Sequence, residues 1–177
     1  PSVPNSVKNP LNDFSKNVLS ALNVLEFVRF SGSKTFVFLS TVSVFDRKNI
    51  LPLNENSYKK PTSPYGAAKL AIENYCSAYF RTFGIDTRVA RIFNTYGPNM
   101  KHLFVSDIIK KIQKADKVIK VGGDGRQIRD YLYISDLVKS LDIIAQKGEP
   151  GQEYNVCSGI KITIDEILQL ILEKLNK

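Results

Sequence analysis

TFVFLSTVSVFD, residues 35–46, is the stretch that decides the fold. The short apolar run TFVFLS (35–40) marks a strand buried on both faces, as in a parallel sheet. It runs out into hydroxyls at Ser40, Thr41 and Ser43. In open α/β sheets, the C-terminal ends of the strands are where ligands bind. A loop with proline and asparagine comes next, over about 46–62, and SPYGAAK (63–69) then opens a helix. Ser63 suits its N-cap and Pro64 its first turn. The helix is expected to run to about Phe83 and to stop at Gly84.

The same alternation continues outward. Phe14, Val18, Leu22, Leu25 and Val28 recur at helical spacing, which predicts an amphipathic helix over 12–30. DTRVARIF (86–93) reads as the next buried strand, halted by Gly97 and Pro98. A helix over about 104–115 leads to VIKV (118–121), and GGDG (122–125) turns the chain. GGDG lacks the Gly-Lys-Ser/Thr ending of a phosphate-binding P-loop, so a tight turn is the better reading. A helix begins near Ser135, YNVCS (154–158) reads as a strand, and Thr163 with Glu166 makes a capping box for the last helix. Strands alternating with helices predict an α/β fold, a doubly wound parallel sheet. Residues 1–98 are expected to carry the main sheet, and 99–177 a mixed part not clearly separate from it.

Composition narrows the function. The 177 residues are 43% hydrophobic, enough for one sizeable core. Net charge is +8, yet the lysines come singly or in pairs (Lys59 and Lys60, Lys110 and Lys111) with acids between them. No basic run with interleaved aromatics appears, so a solvated surface is expected rather than a nucleic-acid face. The apolar runs are too short for a membrane span, and PSVPNSVKNP lacks the basic-then-apolar order of a secretory signal. Cys76 and Cys157 read as two reduced thiols in a cytoplasmic protein. His102 is the only histidine and no carboxylates cluster, which argues against a metal site and a Ser-His-Asp triad.

Tyr65 and Lys69 lie one helical turn apart, on one face. Such a pair arises often by chance as surface decoration. Its chemical interest is that a cation beside a phenol favours the phenolate. Lowering a phenol from about 10 to neutrality takes roughly 4 kcal/mol. One unit charge at ~4 Å in an effective dielectric of ~20 supplies about that much. Ser/Thr at one strand end, then Tyr-x-x-x-Lys, then Arg-x-x-Asn-x-Tyr-Gly-Pro (RIFNTYGP, 91–98) is a far more specific combination than the pair alone.

With these motifs the chain resembles the extended short-chain dehydrogenase/reductases, in their NAD-dependent nucleotide-sugar epimerase/dehydratase branch. KNVLSALNVLEFVRFSGSKTFVFLSTVSVFD is similar to the family's helix and strand leading to Ser-Ser-x-x-Val-Tyr-Gly. GGDGRQIRDYLYISDLV is similar to its Gly-Asp-Gly-x-Gln-x-Arg-Asp-Tyr segment, and YNVCSG to its Tyr-Asn-Val-x-x-Gly strand. The resemblance implies a Rossmann-like fold with part of a small C-terminal substrate-binding region. It implies Thr41, Tyr65 and Lys69 as the catalytic set, with Tyr65 the base. Asn17, Ser40, Tyr65, Lys69 and Phe93 would then meet the cofactor, NAD or NADP. Ser43, Asn94, Leu103, Val121 and Arg129 would meet a nucleotide-sugar, Asn94 and Arg129 at its pyrophosphate. It also implies a homodimer through helices 12–30 and 64–83.

Members of that family differ after the catalytic threonine. Dehydratases resemble Thr-Asp-Glu there, since removing water takes an acid and a base; this chain has Val42 and Ser43. A UDP-sugar 4-epimerase-like enzyme is therefore expected. The alternatives are a reductase of keto-deoxy-sugar nucleotides, which YNVCSG also resembles, or an inactive remnant that works through its dimer helices. Phe45 and Asp46 stand where the family has tyrosine and glycine. Neither G-x-G-x-x-G nor G-x-x-G-x-x-G occurs, although the family's phosphate-binding turn lies in its first βα unit. PSVPNSV resembles the segment after the family's fourth strand, so a fragment or a truncated product with half a cofactor site is expected. Its central strand would then lack a partner on one side.

Overall fold

The computed structural model describes residues 2–32, 35–114 and 118–176. The chain forms two compact units that interleave in sequence, Pro1–Ile92 with Lys139–Val156, and Phe93–Val138 with Cys157–Lys177. The sequence reading draws a single boundary at residue 98; instead the chain crosses between units three times.

In the first unit, helices α1 (Val3–Lys8) and α2 (Pro10–Phe14) are each opened by a capping side chain, Ser2 and Asn9, and by an early proline. A π-helical turn, Ser15–Leu19, joins α2 to α3 (Ser20–Ser31). The continuous helix expected over 12–30 is thus interrupted. The Asn17 amide donates to the Asp13 carbonyl and carboxylate at 3.1 and 3.0 Å, at the point where the ladder widens.

Strand β1 (Thr35–Thr41) ends in a 3-10 turn, Val42–Val44. Helix α4 (Pro64–Phe83) starts at Ser63, whose hydroxyl accepts the Gly66 N–H at 3.1 Å, and stops at Gly84 in the left-handed region. β2 (Asp86–Ile92) pairs in parallel with β1 from Thr35↔Asp86 to Thr41↔Ile92. β6 (Glu153–Val156) pairs in parallel with β2 on its other edge, giving the order β1-β2-β6. Val18, Leu25, Phe38, Ala68, Ile72, Cys76 and Val89 form the core under α3 and α4.

β1 departs from the reading of a strand buried on both faces. Phe38, Ser40 and Thr41 are buried, but Leu39 between them is 44% exposed. The helices cover the face of β1 that carries Phe38, and β1 has a strand partner on one edge only among the described residues.

The second unit pairs β3 (Asn94–Tyr96) in parallel with β5 (Tyr131–Tyr133), and β4 (Ile128–Arg129) antiparallel with β7 (Ile162–Thr163). α5 (Phe104–Lys114) and α7 (Ile164–Lys174) flank them. α6 begins at Ile134 and runs to Lys147, its later residues belonging to the first unit. The capping box at Thr163 and Glu166 forms as read. GGDG is a turn, with Gly123 and Gly125 both at positive φ. VIKV takes no regular structure, and the expected helix end at 115 lies outside the described residues. Cys157 and Ser158 leave the strand, because the Ser158 and Gly159 N–H groups turn to the Asp130 carboxylate at 2.8 and 2.7 Å. No helix among the described residues is long and apolar enough to cross a membrane.

Candidate active site

The site grows from the grip of α4 on the end of β1. Tyr65, Lys69 and Glu73 stand on successive turns of α4 and meet three consecutive strand residues. The Thr41 hydroxyl lies close enough to the Tyr65 phenol to favour its phenolate. The Lys69 ammonium donates to the Leu39 carbonyl at 2.9 Å, and the Ser40 hydroxyl donates to Glu73 Oε1 at 2.5 Å. Thr41 also caps the 3-10 turn, accepting the Ser43 N–H at 3.2 Å and donating to the Ser43 hydroxyl at 3.3 Å. Gly66 permits the close approach. A Cβ there would lie 2.4 Å from the Ser43 carbonyl oxygen and 2.9 Å from the Pro61 side chain.

The expectation that Lys69 lowers the phenol's pKa is not met by the chain's own atoms. Burial pushes Tyr65 above the ordinary phenol value; the nearby Thr41 hydroxyl pulls the other way, and the Asp13 carboxylate adds to the rise. Lys69 Nζ lies 6.0 Å from the centre of the Tyr65 ring and closer, 4.7 Å, to that of Phe38. Burial also lowers the Lys69 ammonium, and Asp13 partly offsets that.

Asp13 is not legible from sequence as a member of this group. It is buried, its Oδ1 takes the Asn17 amide, and its Oδ2 has no hydrogen-bond partner. Its one sequence signal is its place one turn ahead of Asn17. Glu73 escapes as well, because the motif ends at Lys69; extending Tyr-x-x-x-Lys by one further turn finds it. Ser40, expected at the cofactor, has a buried hydroxyl that donates to Glu73.

The first unit therefore brings together Thr41, Tyr65 and Lys69, with half-buried Ser43 beside Thr41 and buried Asn17 on the π turn. Phe93, Asn94, Leu103, Val121 and Arg129 belong to the second unit. There the Asn94 amide donates to the Asp130 carbonyl at 3.0 Å, and Phe93 and Val121 are half-buried. Leu103 is exposed with φ at 84°. Arg129 is exposed, donates to the Ile128 carbonyl at 3.0 Å and makes no ion pair among the described residues. The described residues contain no group of three or more His, Cys, Asp or Glu suited to a metal.

Comparison with known proteins places this arrangement. An uncharacterised UDP-glucose epimerase of Bacillus subtilis is 34% identical over 175 residues, 97% of this chain and 54% of its own length. GDP-6-deoxy-D-mannose reductase of Pseudomonas aeruginosa is 31% identical over 179 residues, 97% of this chain and 59% of its own. The solved UDP-N-acetylglucosamine 4-epimerase of Methanobrevibacter ruminantium M1, in complex with UDP-N-acetylmuramic acid, superposes with a TM-score of 0.92 at 28% identity. It covers 99% of this chain, which covers 58% of that one. The chain thus spans little more than half the length of the relatives it matches. Its fold is that of these Rossmann-type neighbours, and the family's statistical profile matches residues 1–157. The chain belongs to the NAD dependent epimerase/dehydratase family.

Proposed function

We propose that the protein modifies a nucleotide-sugar by hydride removal and return, as a UDP-sugar 4-epimerase-like enzyme with Tyr65 as its base. The observation that carries this is the placing of Tyr65 and Lys69, one turn apart on α4, against the C-terminal end of β1, where Lys69 grips the Leu39 carbonyl and Thr41 follows two residues on. Thr41 orients the sugar hydroxyl. Tyr65 accepts its proton and returns it when the carbonyl is reduced again. The Lys69 ammonium is suited to donate to a ribose diol, and the Asn17 side-chain oxygen, its amide N–H groups taken by Asp13, to accept from one, so the pair fits the nicotinamide-ribose end of NAD or NADP. When bound, the oxidised nicotinamide supplies a hydride acceptor and a positive charge beside the phenol.

That pairing of charges matters because the chain alone keeps Tyr65 protonated. Val42 and Ser43 offer no acid–base pair for expelling water, and Ser43 already accepts from Thr41. Redox-neutral epimerisation therefore fits better than dehydration. Phe93 is the proposed neighbour of the nicotinamide. Asn94 and Arg129 are the proposed pyrophosphate contacts, with Ser43 near the sugar and Leu103 and Val121 near the base. Arg129, exposed and without an ion pair among the described residues, suits a bidentate anion.

A second reading, a keto-deoxy-sugar-nucleotide reductase, is favoured by the likeness to the Pseudomonas reductase. Net consumption of cofactor separates the two. An epimerase converts UDP-glucose to UDP-galactose with no loss of NADH absorbance; a reductase oxidises one NAD(P)H for each keto-sugar. The protein should be assayed at the full length its gene encodes. No turnover of any UDP-hexose would refute the epimerase assignment.

Dimerisation through α3 and α4 completes the proposal. Tyr75, Tyr79 and Phe83 stack edge to face along α4 at 6.4 and 5.1 Å, and Arg29 of α3 lies 4.9 Å from the centre of Phe83. Phe27, Phe30, Tyr75 and Phe83 are all exposed, the apolar surface a helical dimer face would use.

A further inference from the structure

Behind Tyr65 and Lys69 lies a buried ion-pair hub that the proposed chemistry does not use. Arg91 and Ser40 are register partners on adjacent parallel strands, so their side chains rise on the same face of the sheet. Glu73 of α4 meets both. Arg91 Nη2 donates to Glu73 Oε2 at 2.8 Å and Nε to Oε1 at 3.1 Å, while the Ser40 hydroxyl donates to Oε1. The Arg91 and Glu73 side chains are 0% and 1% exposed. Arg91 continues to the Glu55 carbonyl at 2.9 Å and to the Glu153 carboxylate, and its guanidinium lies 5.2 Å from the centre of the Phe45 ring. Lys59 pairs with Glu153 at 3.2 Å.

A salt bridge serving stability alone has no need of Ser40. Here the carboxylate's second duty is to take the hydroxyl of the residue directly before Thr41. Lys69 meanwhile ties the same helix to the residue before that. Sliding α4 along β1 would break both bonds and part Tyr65 from Thr41.

We infer that Glu73, oriented by Arg91, is a positioning residue for the Thr41–Tyr65 pair, fixing the register of α4 on the end of β1 through Ser40. This rests on the reading of Tyr65 as the base, but its test does not need turnover. The chain would be produced with its tyrosines carbon-13 labelled at Cζ and the Tyr65 resonance assigned through Tyr65→Phe. The titration of Tyr65 would then be followed by NMR. The charged groups around that phenol are Lys69 on its own helix and Asp13 from α2, and all variants keep both.

Ser40→Ala cuts the link while leaving the Glu73–Arg91 pair intact. A shift of α4 on β1 draws Tyr65 away from the Thr41 hydroxyl that favours its phenolate, so the Tyr65 midpoint should rise by about 0.5 pH unit, within the worth of one ordinary hydrogen bond. Tyr131, in the other unit, should not move. Glu73→Asp, too short to hold both partners, should raise the Tyr65 midpoint likewise. Ile72→Val, a core change on the neighbouring position of α4, should lower the melting temperature and leave Tyr65 alone. A folded Ser40→Ala chain whose Tyr65 midpoint is unchanged or lower would overturn the inference. So would an Ile72→Val chain that shifts Tyr65 as far. A wild-type protein that turns over no nucleotide-sugar would sink the proposed reaction and leave this result standing.

Discussion

Tyr65 is held protonated by the same burial that shelters it, while Thr41 alone among its neighbours favours the phenolate. A group whose folded pKa is raised stabilises the fold fully below its unfolded value and loses that stabilisation as pH climbs through the folded value. For Tyr65 the loss falls above about 10. Lys69, lowered, works the other way, since the unfolded chain holds its proton to higher pH. Cys76 behaves like Tyr65. Burial, with the Glu73 charge, pushes its thiol up to about 12 from 9.0, so its contribution drains away between those values. At pH 8, iodoacetamide should therefore label exposed Cys157 and spare Cys76 until denaturant is added. Mass spectrometry of the digested protein gives the answer, and rapid labelling of both thiols in the folded chain would contradict this burial.

At the scale of elements, α4 is readable from sequence because each of its signals is local. The Ser63–Pro64 start, the Gly84 stop and the Tyr-x-x-x-Lys spacing lie within one stretch. Ser63→Ala should cost about 1 kcal/mol in urea unfolding by freeing the Gly66 N–H. Gly66→Ala should cost more, roughly 2 kcal/mol, because the added methyl meets the Ser43 carbonyl and the Pro61 side chain, neither of which yields easily. Equal stability of the Gly66→Ala and wild-type chains would show that the first turn of α4 sits further from β1. The hidden features depend on distant partners. Arg91 and Glu73 are 18 residues apart and meet only once β2 and α4 pack. Glu73→Gln leaves the buried Arg91 guanidinium with Glu153 as its one remaining carboxylate and should cost about 3 kcal/mol, the low end for a broken buried pair. The π turn is hidden differently. Phe14, Val18, Leu25 and Val28 keep helical spacing across it, and one extra residue in a turn barely disturbs that pattern. The Ser40–Glu73 bond is hidden as well, because a hydroxyl at a strand's end looks the same whether it faces a ligand or a buried acid.

For the whole molecule, the alternation of strands and helices reveals the α/β class, but not the interleaving of its two units. Residues 99–177 read as one mixed part not clearly separate from the main sheet, whereas β3 and β5, and β4 and β7, pair with each other in a unit of their own. Dimerisation belongs to this scale. Phe30 is 74% exposed on α3, so Phe30→Asp should leave the monomer's fold intact and halve the mass seen by light scattering. A wild-type protein that is already monomeric would dispose of the dimer. The most direct test of the catalytic account compares wild-type, Thr41→Ala and Tyr65→Phe forms of the protein, at the full length its gene encodes, converting UDP-glucose to UDP-galactose with NAD. Both variants should keep the wild-type fold by circular dichroism. Each should lose roughly 10²–10⁴-fold in turnover, the scale of a lost proton-transfer group. A Tyr65→Phe enzyme that turns over at the wild-type rate would contradict the claim that this phenol carries the proton.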